Sequence, residues 1–190
     1  MEESADSTIG DQYLPVAFEQ DTKLICTYAI GKRDKETTDR FIEDITRRVD
    51  IPESSANVSK ARISTDAFGA CPNSIASSFG HRVGYGQIVK SFHESEQPGG
   101  YGPPSMVDSD RRPSWGLDSA AGISTSHVER NNLTIRTFLK RFTRLSLGFS
   151  KKLDNLRAAV ALHVSHYNFC RIHSSIKRTP ALAAGVTDRL

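Results

Sequence analysis

Two short apolar runs near the start of the chain, Tyr13–Phe18 and Lys23–Ile30, are separated by only four residues. In the first, Tyr13, Leu14, Val16, Ala17 and Phe18 have the character of a strand, and Pro15 confines its early part to an edge. The second, KLICTYAI, is rich in β-branched and aromatic residues and ends at Gly31. With Asp21-Thr22 as the turn, strands joined this closely pair antiparallel. The fold therefore begins with a β-ribbon.

Later segments alternate between helical and strand periodicity. Phe41, Ile45 and Val49 recur every four residues with Ile42 beside them, which predicts a helix over about 35–49. Arg47 and Arg48 suit its C-terminal dipole, and Pro52 prevents continuation. A polar loop over 53–60 leads to a short strand at 61–65, with Asp66 just past its end. Residues 73–79 read as a short helix stopped by Gly80, and 83–89 as a strand weakened by Gly84 and Gly86. Residues 94–122 carry Gly99-Gly100, Gly102, Pro103-Pro104, Pro113, Gly116 and Gly122 with no sustained period, the composition of a long irregular loop. Two helices follow, over about 127–145 and 150–172, broken at Gly148 and closed by Pro180. The first turns Val128, Ile135, Phe138, Leu139 and Phe142 to one side; the second turns Leu153, Leu156, Val160, Val164 and Tyr167 inward. This order predicts an α/β fold: a mixed sheet with flanking helices and a helical C-terminal part, in one domain over residues 13–187. Residues 1–12 offer almost nothing apolar to bury and read as a disordered tail.

Composition narrows the function classes. At 190 residues and 37% hydrophobic, the chain is long enough for a core, and no apolar run approaches the ~20 residues of a membrane helix. The acidic start MEESADSTIGDQ is neither a signal nor a transit peptide. Cys26, Cys71 and Cys170 are far apart and lack CxxC spacing, so they read as buried thiols in a reducing compartment. The net charge of +3 hides an asymmetry. Residues 129–178 hold eleven cations against two acids, +9, while the remainder holds fourteen against twenty, −6. Such a split points to a polyanion-binding face.

No GxSxG, P-loop or HExxH motif occurs, so a catalytic cluster would draw on separated segments. Four acids stand at the ends of expected elements: Glu19 and Asp21 after the first strand, Asp66 after the strand at 61–65, and Glu129 in the first turn of the helix after the loop. Carboxylates gathered at strand ends are oxygen ligands suited to Mg²⁺, and two such ions can clamp a phosphodiester displacement. Each also has an ordinary reading as a solvated surface acid, and Ser126-His127-Val128-Glu129 fits a capping box. The cations are more specific. Arg130, Thr134, Thr137, Arg141 and Arg144 fall on one helical face, Arg136 and Lys140 lie beside it, and Lys151 and Lys152 follow. No acid interrupts them between Glu129 and Asp154, as expected for phosphate contact. His163, His166, Cys170 and His173 have metal-ligand chemistry, but on one helix their ends would be about 15 Å apart, too far for one zinc ion. They read as packing groups with polar tips.

Three stretches carry a resemblance. The block ISTSHVERNNLTIRTFLKRFTRLSLGFSKKLDNLRAAVALHVSHYNFCRIHSSIKRTPALAAGV (Ile123–Val186) resembles the C-terminal part of bacterial insertion-sequence transposases with an Asp-Asp-Glu catalytic core. The segments DTKLICTYAIGKRDKETTDRF (Asp21–Phe41) and RISTDAFGACPNSIASSFG (Arg62–Gly80) match the same family in the same order. The ending is also similar to the tail of retroviral-type integrase cores. The resemblance implies an RNase H-like fold, two Mg²⁺ ions (Mn²⁺ as a substitute), and DNA cleavage followed by strand transfer. It further implies DNA as partner, a homo-oligomer when active, and a cytoplasmic, nucleoid-associated location. Asp66 matches the family's second Asp, and Glu129 in HVERNNL its Glu.

The family usually reads Ile-Asp-x-Asp-Thr-Lys-Leu where this chain has Phe18-Glu19-Gln20-Asp21-Thr22-Lys23-Leu24, so Glu19 stands at the first catalytic Asp, with Asp21 beside it. The extra methylene displaces the carboxylate by more than an ångström, and Mg²⁺ demands near-ideal geometry. The family's N-terminal DNA-binding region is replaced by an acidic dozen residues, and residues 94–122 match poorly. Two expectations follow: an active transposase catalytic domain, or a catalytically impaired, N-terminally truncated remnant that binds DNA.

Overall fold

A computed structural model of the chain describes residues 10–51, 60–93, 105–143, 148 and 150–189. In chain order the elements are β1 (Val16–Phe18), β2 (Ile25–Tyr28), α1 (Lys35–Arg48), β3 (Ala61–Asp66), α2 (Cys71–Phe79) and β4 (Val83–His93). They continue with β5 (Ser105–Trp115), α3 (Ser126–Phe138), α4 (Leu153–Ser165) and α5 (Pro180–Ala183). The fold is α/β, with a mixed three-stranded sheet and flanking helices, and its strands form two separate ladders, β1-β2 and β3-β4-β5. Two compact units result, Met1–Val49 with Ser126–Leu190, and Asp50–Thr125. Among the described residues no helix is long and apolar enough to cross a membrane.

In the first unit β1 and β2 pair antiparallel, as their short connection requires, with a register shift at Ala17/Phe18. Asp34 caps α1 by accepting the Thr37 N–H at 2.8 Å, and Val49 ends it in an extended conformation. Ile30, Leu156 and Val160 form a buried cluster, onto which Leu14, Tyr28, Leu139, Phe142, Leu153 and Val164 pack. This joins the ribbon to α4 and uses the apolar positions that the helical period of 150–172 singles out.

Two helices end earlier than their periodicity suggests. α3 stops at Phe138; Leu139 is extended (φ −107°, ψ 96°), and Lys140–Phe142 form a 3₁₀ turn. The Thr134 and Thr137 hydroxyls donate to the carbonyls of Arg130 and Leu133, bonds that weaken a helix from within, and Thr143 Oγ1 donates to the Arg136 carbonyl at 2.9 Å. Leaving the helix at Leu139 lets Leu139 and Phe142 reach the buried cluster, while Phe138 is left 62% exposed. α4 gives way after Ser165 to one wide π turn over His166–Cys170. A widened turn turns adjacent residues inward together, and here both Tyr167 and Asn168 are buried. Asn168 accepts the Ile25 N–H (3.1 Å) and donates to the Ile25 carbonyl (3.0 Å), stitching the π turn to β2.

In the second unit β3 runs parallel to β4, joined through α2, and β5 runs antiparallel on the other side of β4. Buried Ile75, Phe79, Val83, Tyr85, Ile88 and Ile123 form its interior. The Tyr85 hydroxyl lies 2.8 Å from Thr65 Oγ1, and its ring packs on Trp115 with centroids 4.6 Å apart. Burial pushes the Tyr85 phenol up to about 12. Gly84 and Gly86 are required by close approach rather than weakness: a β-carbon on Gly84 would strike Leu117 and the Gly116 carbonyl, and one on Gly86 would strike Ile123.

The expectation of an irregular loop over 94–122 is corrected in part, because residues 105–115 form β5. Met106–Ser114 are exposed along this edge strand, so no buried face imposes an alternating pattern. Pairing with β4, not side-chain burial, sets the strand, with Pro113 opposite Gly86 next to a register shift. Residues 1–9, and the first part of the excursion at 94–104, lie outside the described residues.

Candidate functional site

Three of the four acids singled out in the sequence stand at or beside the end of an element, and Asp21 lies in the turn between β1 and β2. Glu19 directly follows β1, Asp66 is the last residue of β3, and Glu129 lies in the first turn of α3. Glu19 and Glu129 belong to the first unit and Asp66 to the second. Asp66 is exposed; its Oδ1 accepts the Phe68 N–H at 3.3 Å, and its carbonyl accepts from the Gln87 side chain at 3.2 Å. Glu129 and Asp21 are exposed. Among the described residues no three His, Cys, Asp or Glu side chains gather as a metal set.

Glu19 is engaged in its own turn. Oε1 accepts the Asp21 N–H at 2.9 Å; Oε2 accepts the Thr22 N–H at 2.6 Å and the Thr22 hydroxyl. Burial pushes its carboxyl up, but these hydrogen bonds, with Lys23 nearby, outweigh burial and hold it below the usual glutamate range. Lys23 takes a left-handed conformation (φ 65°) and donates to the Gln20 carbonyl, closing the turn. This fits a turn cap, and as a Mg²⁺ ligand Glu19 would have to share oxygens that also accept from the turn. The ion accepts little departure from octahedral oxygens at ~2.0–2.1 Å, so the turn that holds Glu19 sets where its carboxylate can stand.

The basic stripe is divided. Arg130 and Arg136 are exposed on α3; Lys140 and Arg141 sit on the 3₁₀ turn, past the break at Leu139. Arg141 bonds Ser150 Oγ, and Lys151 and Lys152 are exposed just before α4. Arg144 lies outside the described residues. One straight helical face through Arg130 and Arg141 is therefore replaced by two short cationic segments.

The structure adds a pocket that the sequence did not single out. A cavity of about 310 Å³ opens between the end of β1, α3, the π turn and the segment after Cys170. Lys23, Arg130 and Arg171 line it with His127 and His173, and none of the residues lining it is a carboxylate. Arg171 lies over the rings of Phe138 (5.0 Å) and Tyr167 (5.9 Å), which fixes the guanidinium at the rim. Burial pushes the His173 imidazole down, and Arg171, Lys23 and Arg130 push it further, so it is neutral near pH 7. Asn131 also lines the cavity and is 3% exposed. Neither its amide nitrogen nor its oxygen has a hydrogen-bond partner among the described residues.

These residues come from three distant stretches, which is why spacing did not group them. The available signal was local: Asn131, a poor helix former, sits on the apolar side of α3 one turn before Ile135. A larger cavity, about 590 Å³, lies between α1, β2 and α4, but its charged groups are already engaged. There Arg40 donates to the Ile30 carbonyl, and Asp44 accepts from Thr27 and Arg48.

Comparison of the chain with protein families, with curated proteins and with solved structures finds no match.

Proposed function

We propose that the chain is a DNA-handling domain of the DDE transposase type, with an RNase H-like arrangement and Glu19, Asp66 and Glu129 as its acidic triad. The observation that carries this reading is positional: the end of β1, the last residue of β3 and the first turn of α3 each hold one of the three acids. The cations of α3 and of the 3₁₀ turn support DNA as the partner, through phosphate contact. A strand-transfer assay on oligonucleotides with Mg²⁺ or Mn²⁺ tests the enzyme. Wild type is expected to join strands and Asp66→Ala to lose the activity; equal products from both would sink the reading.

A second reading is favoured by the hydrogen bonds of Glu19 to its own turn. In it the chain binds DNA without efficient chemistry, because the first acid is committed to structure. Shortening that residue then matters: Glu19→Asp is expected to raise strand transfer above wild type. No gain from Glu19→Asp, alongside an active wild type, removes this reading.

A further inference from the structure

We infer that the cationic pocket between β1, α3 and the π turn binds one nucleotide of an unpaired DNA strand. Three cations and no carboxylate line the pocket, which calls for an oxyanion. Phosphate alone leaves the other half of the pocket unexplained. Asn131 is buried with a free donor and a free acceptor, and such an amide costs stability unless a ligand or water pairs with it. An anion offers acceptors only. A nucleobase edge offers donor and acceptor side by side, which is what an Asn amide reads on adenine. Phe18 and Tyr167 line the same cavity and supply aromatic surface for a flat ring. The volume of about 310 Å³ suits one nucleotide and not a base pair with its backbone. A duplex keeps its base edges paired, so the occupant is a displaced or terminal nucleotide.

Choosing DNA as the source of that nucleotide rests on the reading proposed above; the demand for an anion together with a base edge does not. The test is direct binding in EDTA, which separates it from metal-dependent chemistry. A short labelled single-stranded deoxyoligonucleotide is compared with an abasic strand of equal length by fluorescence anisotropy. Wild type is expected to bind the base-containing strand about tenfold tighter. Asn131→Leu should erase that preference and leave the salt dependence unchanged. Arg130→Gln with Arg171→Gln should weaken both strands and flatten the log–log salt slope by about 1.4. If Asn131→Leu does not melt cooperatively, Asn131→Ser is read in its place. Equal binding of the two strands by wild type, or a preference that survives at Asn131, overturns the proposal and leaves the amide to a water molecule. Base preference without strand transfer keeps the pocket and rejects the transposase; strand transfer without base preference does the reverse.

Discussion

Two buried asparagines in the same unit have opposite circumstances. Asn168, on the π turn, spends its amide on both backbone groups of Ile25 and is 6% exposed. Asn131, on α3, is 3% exposed and its amide pairs with none of the described residues. One residue type thus serves as a structural stitch and as an unspent recognition group. The difference lies in what surrounds each: Asn168 faces a strand with backbone groups to satisfy, while Asn131 faces a cavity rimmed by cations. Buried amides left unpaired are uncommon, because each costs roughly 1–3 kcal/mol. The pairing of Asn168 builds the fold, while the amide of Asn131 contributes no hydrogen bond to it among the described residues.

The contrast is broken most severely at Asn168. Asn168→Ala strands a buried N–H and a buried carbonyl of Ile25, with an expected loss of about 3 kcal/mol in urea denaturation. Asn168→Asp keeps the acceptor and loses the donor, and should fall between wild type and alanine. Asn131→Leu removes two unsatisfied atoms at similar volume, so stability should stay within about 1 kcal/mol of wild type and can rise. A loss at Asn131 as large as that at Asn168 would show that the two sites are alike after all.

The smallest effect is in the pH dependence. His163 and His173 are both pushed down, by burial first; His166 and Arg171 add to the effect at His163, and Arg171, Lys23 and Arg130 at His173. The folded state therefore holds fewer protons on them than the unfolded chain does. Their contribution is fully present above the unfolded value near 6.5 and is lost as pH falls through the lower folded values. Melting temperature should decline gently below pH ~6.5. An anion in the pocket offsets Arg171, Lys23 and Arg130, so oligonucleotide binding should move the His173 NMR titration upward, and that of His163, which shares only Arg171, by less. Equal movement of both would argue against a local anion.

The ribbon, α1 and the inner face of α4 were legible from their apolar periods, with Leu156, Val160 and Tyr167 buried on α4 and its extension; on α1 only Ile42 of the expected stripe is buried, beside Thr37 and Thr38, while Phe41, Ile45 and Val49 are half-buried. β5 was not, because an exposed edge strand imposes no pattern on Met106–Ser114. The end of α3 at Phe138 was hidden for another reason: Leu139 and Phe142 fit a helical stripe in the sequence, yet they reach the buried cluster only once the helix has ended. At the site, Glu19, Asp66 and Glu129 were legible as ends of elements. The hydrogen bonds of Glu19 to Thr22 were not, since an acid next to a turn reads the same whether it caps the turn or faces outward. Lys23, Asn131, Arg171 and His173 share a pocket only through tertiary folding.

The wide turn at His166–Cys170 has a mechanical consequence. It places Tyr167 in the pocket wall and its neighbour Asn168 on β2, so a single peptide link joins a ligand's seat to the ribbon's anchor. If filling the pocket steadies the ribbon, by reciprocity fraying of the ribbon weakens filling by the same free energy. The Ile25 amide, held by Asn168, becomes the reporter of occupancy: its hydrogen exchange should slow when the pocket fills.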